Sequence, residues 1–488
     1  MINTEALRKK VIDLAIQGKL TEQLPSDGDA ESLYAQIQEE KIKLVKEGKI
    51  KKEKPLKSIE GNEVPFEIPA NWMWVRLTEI SYIINGDRSK NYPAKSTLSS
   101  NGIPFISALN LNGKSVDDDE RLLCLSEEQY NKLGSGKLQK DDIVICIRGS
   151  LGKHGRYPFD RGAIASSLVI CRPHIFADEI GSFIMIWLDA SMFPREIDKY
   201  DGGSAQPNLA AENLKKFLVP LPPLEEQKRI VEKLDTVLAQ IDIIDALQQQ
   251  YESDLSVLKS KIIDAGIRGK LTKQVPEDGD AETLYAQIKE EKAKLVKEGK
   301  IKKEKPLPEI EAEEIPFEIP KNWKWVRIAN IGLTVTGTTP PKTDAENYGG
   351  AYQFFKPSDL DLGRHISAGS ESLTEEGWKV SRQLEKGTIL VCCIGSIGKC
   401  AIIDVDGTTN QQINALTPII CDSDYLLYAI NSDSFQNQLQ QGSRATTVTI
   451  IKKSKFDECI IPLPPIKEQK RIAVKIDEML CMMKLCQR

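Results

Sequence analysis

The chain has 488 residues, of which 40% are hydrophobic and 28% charged, and its net charge is −5. That balance excludes wholesale disorder, the length suggests about three domains, and no apolar run approaches the ~18–20 residues of a membrane span. Ten cysteines without a C-x-x-C pair and three histidines (His154, His174, His365) exclude a zinc site of ordinary spacing and any other metal centre of recognisable pattern. They read as reduced, mostly buried thiols of a cytoplasmic protein, and the N-terminal residues lack the apolar stretch of an export signal. The acidic balance argues against uniform coating of nucleic acid but leaves a local basic surface open.

In chain order, residues 1–63 form a first framing segment: a helix carrying Leu7, Val11 and Leu14, then a lysine-rich arm at Gln36–Lys57. In the arm lysines outnumber glutamates about two to one. It reads either as a phosphate-facing or partner-facing arm or as a solvated amphipathic helix with pairs such as Glu39–Lys43. Residues 64–219 are a stretch of short strands and turns, followed at Pro220–Ile230 by PLPPLEEQKRI. From Gln227 a heptad runs through Leu234, Ile241, Gln248, Leu255 and Ile262, and through Ile230, Val237, Ile244, Tyr251, Leu258 and Ala265. This predicts one long helix packed along a partner. Pro222-Pro223 open it, Glu225-Glu226 suit its positive end, and Gly266 and Gly269 mark its stop.

The frame then repeats. Asp27–Pro55 (DGDAESLYAQIQEEKIKLVKEGKIKKEKP) returns at Asp278–Pro306 as DGDAETLYAQIKEEKAKLVKEGKIKKEKP, and the PLPP motif returns at Pro462–Ile472. Residues 220–314 therefore hold the central helix and a second arm, residues 315–461 a second insert, and residues 462–488 a closing helix. Ile472, Ile476, Met479, Met483 and Cys486 occupy the heptad positions of the central helix until the sequence stops. Leu7, Val11 and Leu14 correspond to Leu258, Ile262 and Ala265. The closing and opening helices together thus equal the central one, which predicts an antiparallel helix pair with a pseudo-twofold circular repeat. Its seam would run along Ile230, Leu234, Val237, Ile241 and Ile244 and along Ile472, Ile476 and Met479.

The two inserts share little beyond Gly149-Ser150-x-Gly152-Lys153 and Gly395-Ser396-x-Gly398-Lys399, each after an apolar run. These fail the G-x-x-x-x-G-K-[ST] spacing of a phosphate loop and read as tight strand-to-strand turns. Nearly identical frames around rewritten inserts point to two modules that read different things. Both inserts cluster the side chains that suit phosphates and base edges. In the first these are Arg88, Lys90, Asn91, Asn110, Arg148, Ser150, Lys153, Arg156, Gln206 and Asn208. In the second they are Lys342, Lys356, Ser396, Lys399, Asn410, Gln412, Arg444 and Thr446. No G-x-G-x-x-G, H-E-x-x-H, G-x-S-x-G or Asn/Asp-Pro-Pro-aromatic run is present, so the chain reads as a non-enzyme without a cofactor of its own.

Two divergent inserts, each followed by P-L-P-P-[LI]-x-E-Q-K-R-I and a long helix, resemble the specificity subunit of Type I restriction–modification enzymes along the whole chain. The resemblance implies two α/β target-recognition domains separated by antiparallel coiled-coil-like helices. Each domain would read one half of a bipartite, asymmetric site on double-stranded DNA. The helices would set the spacer and dock two methyltransferase subunits, with restriction subunits able to join. S-adenosylmethionine and ATP with magnesium would belong to those partners. The alternatives are a coiled-coil scaffold that binds only proteins and a self-contained DNA methyltransferase or nuclease.

Overall fold

A computed structural model describes residues 1–117, 121–200, 208–303, 305–341, 343–443 and 449–485. The chain divides into two compact units, Met1–Gln249 and Gln250–Arg488.

In the first unit Asn3 accepts a hydrogen bond from Ala6 N and so opens the N-terminal helix Thr4–Ile16. This helix lies antiparallel along the first part of the central helix Leu224–Ile267: Thr4 Oγ1 donates to Asp245 (3.0 Å) and Arg8 pairs with Asp242 (2.5 Å). Gln248 holds the backbone of Ile2 from both sides, accepting from its N–H (2.6 Å) and donating to its carbonyl (3.1 Å). Ile230, Leu234 and Ile241 of the seam are buried beside Val11, Ala15 and Ile16, and Val237 is half-buried.

The first insert is built from β1 (Met73–Arg76), β2 (Ser81–Asn85), β3 (Ile103–Ile106), β4 (Leu123–Leu125), β5 (Lys137–Leu138), β6 (Ile143–Cys146), β7 (His154–Arg156), β8 (Gly162–Ile164), β9 (Leu168–Pro173) and β10 (Leu218–Leu221). Two sheets form, in the orders β2-β9-β6-β7 and β4-β3-β8-β5, while β1 and β10 pair by themselves. Period-2 alternation sorts the sides of the first sheet. Ile143, Ile145, Val169 and Cys171 pack toward the helix Ala177–Asp189 with its Phe183 and Trp187. Val144, Cys146, Leu168 and Ile170 pack toward Ile106, Leu138 and Ile164 of the second sheet.

The second unit repeats this plan with β11 (Lys324–Arg327), β12 (Gly332–Thr336), β13 (Tyr348–Phe355), β14 (His365–Ile366), β15 (Glu371–Leu373), β16 (Ile389–Cys392), β17 (Cys400–Ile403), β18 (Gly407–Thr409), β19 (Ile413–Pro418) and β20 (Ile460–Leu463). Its orders are β12-β19-β16-β17-β14, β15-β13-β18 and β11-β20. Strand for strand, β12, β19, β16 and β17 stand where β2, β9, β6 and β7 stand. β13 and β18 run parallel as β3 and β8 do. The C-terminal helix Ile466–Leu485 packs Ile472 and Ile476, both fully buried, against the end of the central helix. Gly266 is not the helix stop that its position suggests. It lies inside the helix, where a Cβ would come 2.7 Å from Ile476 Cδ1, so the glycine permits close approach. Helix and seam also part company at Tyr251 and Leu258, which are 42% and 45% exposed although the heptad assigns them inward. Cys486 lies outside the described residues.

The PLPP…EQ motif proves to be a hub. Glu226 is fully buried and accepts from Trp72 Nε1 (2.8 Å), Gln23 Nε2 (2.7 Å) and Thr21 Oγ1 (3.3 Å). Glu468 does the same for Trp323 (2.9 Å), Gln274 (2.7 Å) and Thr272 (3.1 Å). Gln227 and Gln469 donate back to the carbonyls of Pro222 and Pro464. Each hub ties the helix start to the insert's first tryptophan and to the turn after the preceding helix.

Candidate nucleic-acid interface

The described reading residues divide by what the strands do with them. One end of the sheet β2-β9-β6-β7 gathers the loop after β2, the turn after β6 and the residues before β9. In the turn, Gly149 and Gly152 both take φ +81°, a left-handed conformation that a Cβ disfavours. Gly152 N donates to Cys146 O (3.0 Å) and Ile147 N to Ser167 O (2.9 Å). Arg148 Nε donates to Asn208 Oδ1 (3.1 Å), and Arg88 Nη2 to Ser166 O (3.3 Å). Arg88, Lys90, Asn91, Arg148, Ser150, Lys153 and Asn208 are all exposed.

Asp87 supports this loop from beneath. It is buried and accepts from Ser89 N and Gly134 N, both at 2.6 Å. Desolvation pushes its carboxyl up, yet the hydrogen bonds from Ser89 and Gly134 outweigh it and leave the pKa below the usual range.

The second unit builds the same end. Gly395 and Gly398 take φ +77° and +86°, Gly398 N donates to Cys392 O (3.0 Å), and Cys393 N to Gln412 O (2.7 Å). Asn410 Nδ2 donates to Gln412 Oε1 (3.0 Å), and Ser396 is exposed at the turn. Thr339 Oγ1 bonds Gln411 across the loop after β12.

Four expected residues are engaged within the fold. Asn110 is 1% exposed, its Oδ1 accepting from Ser107 N and Oγ (2.9 Å each), so it closes a turn inside the fold and offers no edge to a base. Arg156 is half-buried and donates to Asp178 (2.8 Å) and Ser182 (3.0 Å), bracing β7 against a helix. Lys399, whose turn leaves it free to face a ligand on sequence grounds, pairs with Asp361 (2.7 Å), and Lys356 pairs with Glu371. Gln206, Lys342, Arg444 and Thr446 lie outside the described residues. Ser166-Ser167, which do not stand out in the sequence, and Gln411, which lies between the expected Asn410 and Gln412, sit at the gathered ends. Their signal is a polar pair just before an apolar strand in both inserts.

Among the described residues no group of three or more His, Cys, Asp or Glu could hold a metal ion, and no helix is long and apolar enough to cross a membrane. The arrangement offers exposed donors and acceptors on rigid turns, which suits recognition of a polar surface.

Comparison with known proteins fits this geometry. The family described as Type I restriction modification DNA specificity domain matches residues 69–253 and 320–480. The Type I restriction enzyme EcoAI specificity subunit of Escherichia coli is 27% identical over 97% of this chain and 88% of its own length. The EcoEI specificity subunit, also of Escherichia coli, is 31% identical over 67% of this chain and 61% of its own. Among solved structures, a chain from a study of complex assembly and conformational transition of the type I R-M system superposes with a TM-score of 0.60. It has 19% identity and covers 87% of this chain and 94% of itself. The HsdS subunit from Thermoanaerobacter tengcongensis superposes with a TM-score of 0.50 at 18% identity, covering 88% and 94%. At those identities the two structures speak for the fold. The two matched stretches of the family together span well over half of the sequence, one in each unit, and the chain belongs to the Type I restriction modification DNA specificity family.

Proposed function

We propose that this chain is the DNA-reading subunit of a Type I restriction–modification complex, with recognition domains at 64–219 and 315–461 that each read one half of a bipartite, asymmetric site. One observation carries the reading. Two inserts with little common sequence keep the order of four strands in one sheet and one glycine turn, and place different polar side chains on that shared scaffold. Rigid backbone with variable tips is what selection for changing sequence specificity requires.

The chain itself carries no catalytic constellation in this reading. Two methyltransferase subunits bring S-adenosylmethionine, restriction subunits bring ATP and magnesium, and the framing helices dock the former and fix the spacer. The complex acts in the cytoplasm, where the DNA is. A retardation assay tests this. The chain with its methyltransferase should bind one class of duplex at least ~10³-fold more tightly than random duplex, and the chain alone should transfer no labelled methyl group. Equal binding of all duplexes would refute it and favour a protein-only scaffold. Methyl transfer by the chain alone would favour the self-contained enzyme.

A further inference from the structure

The lysine-rich arms have no part in that reading. Their first halves are ordinary amphipathic helices, Ala30–Lys46 and Ala281–Lys297, capped by Asp29 and Asp280 and buried through Leu33 and Ile37, and through Leu284 and Ile288. Each helix runs on into a strap pinned to its own unit by backbone and by inward-turned charges. Lys41 Nζ donates to Thr78 O (2.7 Å), Thr78 Oγ1 to Glu53 (2.6 Å), and Lys215 pairs with Glu53 (2.8 Å). Buried Arg76 donates to the carbonyl of Lys57 (3.4 Å). In the second unit Lys292 donates to Ala329 O (2.7 Å), and Arg327 to the carbonyls of Pro308 (2.7 Å) and Glu309 (2.8 Å).

Glu53 of the first strap is therefore spent inside, and the lysines of both straps face outward, with Glu309 of the second exposed at its far end. The ammonium groups of Lys51, Lys52, Lys54 and Lys57 are exposed and pair with no described residue, and the same holds for Lys302, Lys303 and Lys305. Lysine on an exposed strap without arginine or aromatic neighbours is the opposite of a protein-docking composition, which is depleted of lysine. It is the composition of a surface that meets phosphates as point charges.

We propose that each strap is a sequence-independent phosphate contact for duplex DNA flanking the half-site read by its own domain. The proposal rests on the DNA-reading function. Three of these lysines recur in both straps (Lys51, Lys52 and Lys54 as Lys302, Lys303 and Lys305) while the reading loops diverge, as expected if they meet the one feature that all half-sites share. The first strap is anchored at Arg76 and Thr78, just ahead of β2, and the reading loop leaves the far end of that strand. Five residues of strand separate them by roughly 17 Å, the length of about five base-pair steps.

The test uses the full chain with its methyltransferase subunits. Lys51, Lys52, Lys54, Lys57, Lys302, Lys303 and Lys305 are changed together to Gln in one variant and to Arg in a second. Binding is measured against salt on site-bearing duplex, on random duplex, and on site-bearing duplex trimmed flush to the half-sites. The Gln variant should lose affinity for site-bearing and random duplex by the same factor, tenfold or more. Its log–log salt slope should fall by about one unit per lysine on a phosphate. The Arg variant should behave as the unchanged chain, and trimming should bring the unchanged chain down to the Gln variant. An unchanged slope and affinity, or a loss confined to the site-bearing duplex, would overturn the proposal. So would loss of methyltransferase co-purification with the salt slope intact, which would make the strap a protein-docking surface. Failure of the unchanged complex to discriminate the site would count against the DNA-reading function itself. Matching thermal melting of the variants establishes that folding is not what changed.

Discussion

At the residue scale the two units differ in how they answer acid. His174 is 6% exposed, stacked on Tyr82, and burial followed by the Lys41 charge lowers its pKa to about 4 from 6.5. Below pH 6.5 the unfolded chain takes up a proton that folded His174 refuses until about pH 4. Stability of the first unit should therefore fall by up to about 3 kcal/mol as pH drops through that window. The matching position in the second unit is Ile419. There, desolvation of His365 is outweighed by its hydrogen bonds to Asp404 (3.0 Å) and Asp424 (2.8 Å), which raise its pKa. Its contribution is present below the unfolded value and lost as pH rises through the raised one. Thermal unfolding between pH 7.5 and 4.5 should show the loss, and His174→Ile should flatten it. An unaltered profile in that variant would reject the assignment. The same scale holds the hub. Glu226→Ala leaves the buried indole N–H of Trp72 and the amide of Gln23 without an acceptor, so about 3 kcal/mol should be lost in denaturant unfolding, with Glu468→Ala costing as much. A variant within half a kcal/mol of the parent would show the hub to be idle.

At the element scale much of the frame was legible and little of the inserts. The heptad from Gln227 foretold a long helix because period 3.5 survives any tertiary context, and the observed helix runs Leu224–Ile267. Burial along the predicted seam follows the partner helix. Leu234 and Ile241 are covered within the reach of the N-terminal helix, while Tyr251 and Leu258 keep the period and stay exposed. The polar seam positions are not defects either, since Gln248 grips Ile2 and Gln227 closes on Pro222. Strand order could not be read, because pairing such as β3 with β8 joins segments far apart in sequence and leaves no local period. Base-edge chemistry in the inserts was a compositional signal only. It could not tell Arg148, which stays at the surface, from Arg156, which is consumed by Asp178, because the difference lies in which helix packs behind β7.

At the scale of the whole molecule, each unit closes its own core. Ile230, Leu234 and Ile241 are covered by the N-terminal helix of the same unit, and burying such side chains contributes ~1.5–3 kcal/mol each. The fragment Met1–Gln249 should therefore unfold cooperatively as an isolated protein, measured by circular dichroism. A gradual, non-cooperative melt would show that the first unit depends on the rest of the chain. The two units share a sheet order and differ at their tips, so each domain should read its half-site separately. The most direct measurement replaces residues 64–219 with the corresponding insert of a family member of different specificity and maps the methylated bases in a host genome carrying the chimera. Two separable readers predict that one half of the recognised sequence changes while the other half and the spacer stay as they were. A change in both halves would contradict that claim and show that the two domains read DNA jointly.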